Sequence, residues 1–344
     1  MNTNKIFIIA EAGVNHNGSL KLAKKLVDIA KSSGADAVKF QTWKKGELTG
    51  EFTKNVGYIK KNQKFKLKRS LLSDQLQLSF NDFIILKNYC LKKNILFLTT
   101  PDGFESLKFV SNVLKVKYLK IGSTELNHSK FLIEAAKTNI PLIVSTGMSS
   151  FIEIKKAVKL LKKYSNNFTI LHCTSEYPVN PKNANLLSVK FLSDKLKVNI
   201  GFSDHTMGNT AAVMAVAQGA MIIEKHITID NKLDGPDHKM SLNAKNFKNF
   251  VNELRLAEIM LGSYSKEPTN VELKSLPNIR RGAVAAKNIP KNTIITKEMI
   301  VAKRPFYEIE PDQIPRLVGL KLKINLIKDQ PLKWNYFFKK YNDN

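Results

Sequence analysis

Short apolar runs alternate with longer amphipathic segments along most of the chain. Eight such runs are present, and each is too apolar to be half solvated, which is typical of parallel strands buried on both faces: IFIIAEA, AVKFQTW, ILFLTTP, KYLKIGS, PLIVSTG, FTILHCTS, VNIGFSDH and AMIIEKHIT. Helix-like segments follow them near 18–33, 81–93, 103–112, 129–138, 152–164, 185–195, 209–218 and 244–262. Eight strand–helix units in about 260 residues predict an α/β fold, a (β/α)8 TIM barrel.

Two stretches depart from this alternation. Residues 44–72 are lysine-rich and weakly periodic, and a loop at this point would lie at the C-terminal face of the barrel, where lids and binding loops occur. A disordered surface insertion is the alternative. Later in the chain the pattern predicts a linker at 263–282 and a small β-rich domain at 283–344, after a barrel at 1–262. In that small domain, KNIPKNTIIT is weakly echoed by INLIKDQPLK.

Composition limits the class of protein. The chain is 43% hydrophobic, which is enough for a large core, and no run approaches the roughly 18 apolar residues of a membrane span. The first residues, MNTNKIFIIAEAG, lack the apolar segment and cleavage site of a secretory signal. With only two cysteines, a disulfide framework is not expected. A cytoplasmic protein without a membrane partner is the prediction.

The formal charge of +26 raises the possibility of nucleic-acid binding. The excess is lysine spread along the whole chain, however, and arginine occurs at only six positions. Nucleic-acid sites use arginine and aromatic side chains grouped together, and the sequence has no such cluster. We interpret the charge as a solvated lysine coat, with no nucleic-acid partner expected.

Polar side chains interrupt the apolar runs where several strands end. The C-terminal ends of the strands form the active-site face of a (β/α)8 barrel, and residues two apart share one side of a strand. Three pairs of this kind close the second, seventh and eighth strands: Lys39 with Gln41, Ser203 with His205, and Glu224 with His226. Two imidazoles on neighbouring strands can ligate one divalent metal and leave positions open for water and substrate. A structural, hydrogen-bonded histidine is the alternative at either position.

Two lysines lie inside buried strand runs. Lys39 and Lys120 would each be costly to bury without an anion. Hydroxyl groups close neighbouring strands and could cradle a phosphate or carboxylate together with these lysines: Thr100, Ser123, Ser145 and Thr146. The alternative is a structural ion pair between each lysine and one carboxylate among Glu11, Glu125 and Glu224.

The remaining four histidines are weaker candidates for catalysis or metal binding. His16 is interpreted as a loop residue without a catalytic role, and His172 as either a core or a site residue. His128 and His238 lie in loop-like stretches and are expected to be solvated.

Together these residues resemble one family, the bacterial sialic acid synthases. Its motifs occur in order over nearly the whole chain: IAEAGVNHNGSLKLAKKLVDIAKSSGADAVKFQTWK, YLKIGSTE, LIVSTGMSS, LHCTSEYP, GFSDHTMG, IIEKHITID and GPDHKMSL. IPKNTIITKEMIVAKRP followed by LVGLKL resembles the C-terminal antifreeze-like (SAF) domain of the family. The resemblance implies a domain-swapped homodimer that condenses phosphoenolpyruvate with an N-acetylated mannose-type sugar and releases phosphate.

The resemblance also implies roles for individual residues. The metal ligands would be His205 and His226, with Mn²⁺ or Mg²⁺ expected. Phosphoenolpyruvate would be held by Lys39, Thr100, Lys120, Ser123 and Ser145. The sugar would be contacted by Glu11, Gln41, Tyr177 and Asp237, and Glu224 would lie near the reaction centre. Either Glu11 or Glu224 could move protons. Arg304 would reach the sugar N-acetyl group from the other protomer, since its guanidinium suits an amide carbonyl.

Three positions depart from the family pattern. Thr124, Ser175 and Asp102 stand where members often have glycine, asparagine and phenylalanine. An inward Asp102 would repel a phosphate, so this side chain is expected to face outward.

The favoured activity is that of an N-acetylneuraminate synthase using N-acetylmannosamine. The alternative is an N,N'-diacetyllegionaminate synthase using 2,4-diacetamido-2,4,6-trideoxymannose. Two rivals lie outside this reaction: a non-catalytic, basic phosphate- or nucleic-acid-binding barrel, and a zinc-dependent barrel hydrolase or aldolase with at least three protein ligands on its metal.

Overall fold

A computed structural model describes residues 5–48, 55–60 and 63–338. The chain divides into two compact units, Met1–Gly262 and Ser263–Asn344. No helix in the described ranges is long and apolar enough to cross a membrane.

The first unit is built on eight parallel strands, which fall on the eight predicted apolar runs: β1 Phe7–Gly13, β2 Ala37–Trp43, β3 Leu96–Asp102, β4 Leu119–Ile121, β5 Leu142–Ser145, β6 Phe168–Cys173, β7 Asn199–Asp204 and β8 Ile222–His226. Hydrogen bonds join them in the order β3–β2–β1–β8–β7–β6–β5–β4. The strands at the two ends of this order, β3 and β4, pack side by side. The predicted (β/α)8 barrel is confirmed.

A helix on a predicted segment follows each strand, and the insertion after β2 adds one more: α1 Leu20–Ser32, α2 Phe80–Lys92, α3 Phe104–Lys108, α4 Ser129–Lys137, α5 Phe151–Leu161, α6 Leu187–Leu196, α7 Thr210–Ala217 and α8 Ala244–Leu261. A π-helical turn, Phe109–Val113, continues α3. Several helices begin at side chains that accept hydrogen bonds from the first turn, as Ser79 and Ser150 do in reciprocal capping boxes.

The barrel interior has an apolar layer below a polar layer. The apolar layer comprises Ile9, Ala37, Leu98, Ile143, Leu171 and Ile222. Two residues further along the same strands, and so on the same inward side, come Glu11, Lys39, Thr100, Ser145, Cys173 and Glu224. The outer sides of the strands pack on the helices in a separate, larger core. The strand register therefore gathers the polar layer at the C-terminal end of the barrel.

The insertion after β2 contains regular structure that its weak periodicity did not predict. Asn55–Lys60 pairs antiparallel with Gln63–Lys68, and a helix follows at Arg69–Leu76. Residues 49–54 and 61–62 of the predicted loop lie outside the described residues. The base of the insertion is anchored, since the Glu47 carboxylate accepts hydrogen bonds from the Glu105 backbone N–H (2.8 Å) and the Ser106 hydroxyl (2.7 Å).

The second unit has little regular strand. Gly282–Ala285 and Ile300–Lys303 form an antiparallel pair, and the stretch interpreted as a linker contains a helix, Asn270–Ile279. The two echoed segments meet through an antiparallel bridge between Ile289 and Leu326. A small core fills the unit: Ala283, Ala285, Ile289, Ile295, Ile300, Ile309, Leu317, Leu322, Leu326, Leu332 and Phe337.

Candidate active site

Two carboxyls and two lysines meet in the polar layer of the barrel. Glu11 lies in register with Lys39 on one side and with His226 on the other. Lys39 Nζ is 2.8 Å from Glu11 Oε2 and 3.8 Å from Glu224 Oε2, and Lys120 Nζ is also 3.8 Å from Glu224 Oε2. All four side chains are at most 5% exposed. Lys39 and Lys120 therefore face carboxyls, as the structural alternative expected. The same two lysines also face the hydroxyl groups of the predicted anion site.

Hydroxyl groups surround the lysines. Lys120 Nζ donates to Ser145 Oγ (2.7 Å), and Lys39 Nζ donates to Thr100 Oγ1 (3.3 Å). Ser123 Oγ accepts from the backbone N–H of Gly147 (2.9 Å). Two ammonium groups and three hydroxyls therefore line one side of the barrel mouth, a set suited to an anion with several oxygens.

The two carboxyls have opposite pKa shifts. Burial raises the pKa of Glu11 to about 8, because loss of water outweighs the attraction of the Lys39 ammonium. Burial also acts on Glu224, but Lys120 and Lys39 outweigh it and hold the pKa of that carboxyl below its usual value. Ser203 adds a 3.1 Å hydrogen bond to Glu224 Oε1. At neutral pH, Glu11 holds a proton and Glu224 is a carboxylate.

The lysines differ as well. Burial favours the neutral amine of Lys39, but Glu11 and Glu224 more than compensate and raise its pKa. Burial lowers the pKa of Lys120, and Glu224 offsets this only in part.

The two imidazoles lie side by side, with ring centres 5.4 Å apart. His205 Nδ1 is 2.8 Å from the Thr174 carbonyl oxygen, so it carries the proton and leaves Nε2 to accept or ligate. His226 Nδ1 is buried and has no hydrogen-bond partner. Burial lowers the pKa of both imidazoles, which keeps them neutral at physiological pH. A neutral pair with unused nitrogens fits a divalent cation.

Two further predicted sugar contacts lie beside the imidazoles. The Tyr177 ring centre is 4.2 Å from that of His205 and 6.1 Å from that of His226. Asp237 Oδ2 is 4.0 Å from His226 Nδ1, and burial raises the pKa of this carboxyl to about 6. Gln41 Nε2 is 3.5 Å from Glu11 Oε1. The predicted barrel residues therefore form one continuous site.

Within the described part of the chain, no group of three or more histidine, cysteine, aspartate and glutamate side chains is arranged to hold a metal. A zinc hydrolase normally needs three such ligands. A cation held by the two imidazoles alone would leave most of its coordination positions to water or substrate.

Arg304 lies in the second unit, just after the strand Ile300–Lys303, and its side chain is exposed.

Two expectations about individual residues were wrong. His238 is buried rather than solvated: its Nδ1 lies 2.7 Å from Thr228 Oγ1 and its Nε2 lies 3.2 Å from Asn17 Oδ1. Asp102 follows Thr100 by two residues on β3 and faces inward, not outward. Burial, reinforced by Glu125, raises the pKa of Asp102 to about 7. With this pKa the carboxyl is only partly charged at neutral pH, which reduces its repulsion of an anion in the mouth.

The other three histidines lie outside the group of residues described above. His16 is buried, and its Nδ1 accepts from the Gly18 backbone N–H (3.1 Å). His172 lies outside the barrel interior, with Nε2 2.9 Å from the Ala184 carbonyl oxygen. His128 is exposed.

Sequence reasoning missed Cys173. Its Sγ lies 3.9 Å from His205 Nδ1 inside the mouth, and burial raises the pKa of the thiol. The signal was present in the strand alternation, since Cys173 follows the interior Leu171 by two residues.

Comparison with known proteins gives two family matches. Residues 26–266 match the NeuB family, and residues 280–337 match the SAF domain.

Similar proteins cover almost the whole chain. The N,N'-diacetyllegionaminic acid synthase of Legionella pneumophila is 39% identical over 335 residues, covering 96% of this chain and 94% of that protein. The N,N'-diacetyllegionaminic acid synthase of Campylobacter jejuni is 37% identical over 332 residues, covering 96% and 99%. Among solved structures, the N-acetylneuraminic acid synthetase of Leptospira borgpetersenii superposes with a TM-score of 0.71 at 35% identity, covering 79% of this chain and 90% of that one.

Proposed function

We propose that this chain, which belongs to the NeuB family of sialic acid synthases and carries a C-terminal SAF domain, condenses phosphoenolpyruvate with an N-acetylated mannose-type sugar. The observation that carries the proposal is the juxtaposition in one barrel mouth of an anion cradle, two carboxyls with opposite pKa shifts and two neutral imidazoles. These three groups would bind phosphoenolpyruvate, transfer protons and hold a divalent cation, respectively.

The lysine side of the mouth suits phosphoenolpyruvate, which carries a phosphate and a carboxylate. Lys39 and Lys120 supply charge, and Thr100, Ser123 and Ser145 supply hydroxyl donors around them. Because these groups are fixed before the ligand arrives, they would hold C3 of phosphoenolpyruvate against the acceptor without reorganising.

The imidazole side suits a divalent cation, which would be held by His205 and His226 and would polarise the aldehyde oxygen of the open-chain sugar. Mn²⁺ or Mg²⁺ is proposed. Tyr177, Gln41 and Asp237 border this side and would contact the sugar.

The carboxyls divide the proton transfers. C3 of phosphoenolpyruvate bonds to the aldehyde carbon, and Glu11, which holds a proton at neutral pH, donates it to the aldehyde oxygen. Water then adds to the cationic C2 and loses its proton to the Glu224 carboxylate. The C–O bond between C2 and the phosphate of the tetrahedral adduct then breaks, the C2 hydroxyl becomes the ketone, and its proton leaves with the released phosphate. Two carboxyls with separated pKa values are what such a division requires.

The acceptor is proposed from the relatives. The sequence analysis favoured N-acetylmannosamine, whereas two relatives at 39% and 37% identity are named N,N'-diacetyllegionaminic acid synthases. We therefore rank 2,4-diacetamido-2,4,6-trideoxymannose first. N-acetylmannosamine stays as the second candidate, because the similar Leptospira structure is an N-acetylneuraminic acid synthetase.

We also propose a homodimer in which Arg304 of one protomer contacts the sugar N-acetyl group in the partner's barrel. The exposure of Arg304 supports this role, since its five donors are available to a second chain.

An acceptor panel tests the reaction. Metal-depleted enzyme is incubated with phosphoenolpyruvate, Mn²⁺ and either sugar, and released phosphate and product mass are measured. We expect phosphate only when all three components are present, with the diacetamido sugar giving the higher kcat/KM. Phosphate without any sugar would refute the condensation. A preference for N-acetylmannosamine would reverse the ranking of acceptors only.

The phosphate-release assay, together with an oligonucleotide-binding measurement, distinguishes the two rival functions. A nucleic-acid-binding barrel predicts oligonucleotide binding that falls steeply with salt and no phosphate release in any mixture. A zinc hydrolase predicts turnover of a substrate by water alone.

A further inference from the structure

Two charged residues outside the barrel interior adjoin the imidazoles. Asp204 and Lys225 directly precede His205 and His226, and strand alternation turns them away from the barrel axis. Their side chains are 0% and 2% exposed. Lys225 Nζ lies 5.9 Å from the ring centre of Phe250 on α8, so the pair is buried between the strands and the helix layer.

The hydrogen bonds of this pair hold the residues that flank His205 in the chain. Lys225 Nζ donates to Asp204 Oδ2 (2.7 Å) and to the Thr206 carbonyl oxygen (2.5 Å). Asp204 Oδ1 accepts from the Thr206 backbone N–H (2.8 Å) and hydroxyl (2.7 Å). The residues on both sides of His205 are therefore tied to a single ammonium group.

The backbone pairing explains why such a tie matters. The ladder between β7 and β8 ends with Asp204 opposite Lys225, so no backbone pairing with β8 reaches His205. On the other side of this segment, the Val179 backbone N–H donates to the His205 carbonyl oxygen (2.9 Å). The contact from Lys225 to Thr206 links the two strands one residue past His205. This side-chain hydrogen bond holds the end of β7 to β8 at the position where the backbone pairing has stopped.

Stability alone does not account for the pair. Burying two charges carries a desolvation penalty that their attraction often only balances, and well-packed apolar replacements are often as stable. The mechanism proposed above uses neither residue. What the pair provides is a fixed position for the segment that carries His205.

We propose that Asp204 and Lys225 are positioning residues that fix the separation of the two imidazoles and so set the affinity of the site for a divalent cation. The inference rests on the proposed function, since it takes His205 and His226 as the ligands. Partners that hydrogen-bond directly to metal ligands typically change metal affinity by about 10- to 100-fold when they are replaced. Asp204 and Lys225 act on His205 through Thr206 beside it, so we place their effect at the lower end of that range.

The test measures Mn²⁺ binding to the full-length, metal-free protein by electron paramagnetic resonance, without substrates. The double variant Asp204→Asn with Lys225→Met keeps the side-chain volumes and the oxygen that accepts from Thr206, but it removes both charges. We expect the Kd for Mn²⁺ to rise at least about tenfold.

A matched control removes an ion pair from the opposite end of the barrel. Asp36 precedes β2, and Arg255 Nη2 lies 2.5 Å from its carboxylate. The double variant Asp36→Asn with Arg255→Met should shift the melting temperature and leave the Kd for Mn²⁺ within twofold of wild type.

The outcomes separate this inference from the proposed function. A change of less than threefold in the Asp204 and Lys225 double variant overturns the positioning role alone. If that variant does not fold by circular dichroism, Asp204→Asn alone provides the same test with the same threshold. Wild-type protein that binds no Mn²⁺, or binding that survives His205→Ala and His226→Ala, overturns both the inference and the metal site.

Discussion

At the scale of single residues, burial together with the charged neighbours of each group decides the chemistry of this site. Glu11 and Glu224 are the same kind of side chain in the same polar layer, yet only Glu11 has a raised pKa. The difference lies in their neighbours: Glu224 has two lysines and Ser203 around it. Identical groups are thereby suited to the opposite roles proposed for them, Glu11 as proton donor and Glu224 as base.

The first prediction concerns pH. Because the proposed mechanism needs the protonated form of Glu11, kcat/KM, which reports the free enzyme, should fall as pH rises through about 8, the pKa of that carboxyl in the unliganded protein. Glu11→Gln should lower kcat/KM by about 100- to 10,000-fold and abolish this alkaline limb. The measurement is a kcat/KM profile from pH 6 to 10.

A tyrosine is the control for this profile. Tyr177 also borders the imidazoles and has a raised pKa, caused mainly by burial, so Tyr177→Phe should keep the alkaline limb. An unchanged limb in Glu11→Gln would show that another group titrates.

At the scale of elements, the loop after β5 is shaped by a close approach between side chains and backbone. A Cβ atom at Gly147 would lie 2.2 Å from Ser175 Oγ and 2.9 Å from Ser123 Oγ. Both contacts are with hydroxyls at the ends of short, rotatable side chains. The fold can therefore accept a methyl group, but the hydroxyls cannot keep their positions.

Gly147→Ala should accordingly change binding more than stability. We expect the KM for phosphoenolpyruvate to rise about tenfold, which is the loss of one hydrogen bond to a charged group. The melting temperature should fall by only a few degrees. Steady-state kinetics and a thermal melt measure the two effects.

Gly122→Ala is the matched control on a neighbouring strand end. The nearest atoms to its Cβ would be 3.5 and 3.6 Å away, and its backbone lies in the extended region that any residue adopts (φ −69°, ψ 157°). Its KM should stay within twofold of wild type. Equal effects of the two alanines would refute the steric explanation.

At the scale of the whole molecule, the proposed swapped dimer makes one prediction for single variants and a second that needs a mixture of variants. Arg304→Ala should raise the KM for the sugar far more than that for phosphoenolpyruvate. Arg316→Ala, which removes another exposed arginine of the same unit, is the control and should change neither.

Mixing two impaired variants, assayed at a sugar concentration at which Arg304→Ala has little activity, tests the exchange directly. In a hybrid of Arg304→Ala with His226→Ala, the barrel that retains His226 would receive Arg304 from its partner. We therefore expect activity to return on subunit exchange, towards one working site per two hybrid barrels. Mixtures that stay as inactive as the separate variants would count against the swap.

The sequence by itself determined the succession of strands in the first unit and most of the residues at the mouth. Apolar runs of strand length fixed the eight strands, and the period of two assigned Lys39, Glu224 and His226 to the interior. These are local properties, because side chains alternate along any extended strand. The same rule predicts an inward Asp102. The expectation failed there because an electrostatic argument, which assumed a charged carboxylate, was preferred to the alternation.

The tertiary structure alone decided the chemical state of those residues. Which carboxyl holds a proton depends on how β1 and β8 are staggered against the lysine-bearing strands. The burial of His238 and the tie from Lys225 to Thr206 likewise depend on contacts between distant segments. Such contacts arise only when the barrel closes and excludes water, and the local sequence pattern does not encode the resulting distances or dielectric environment.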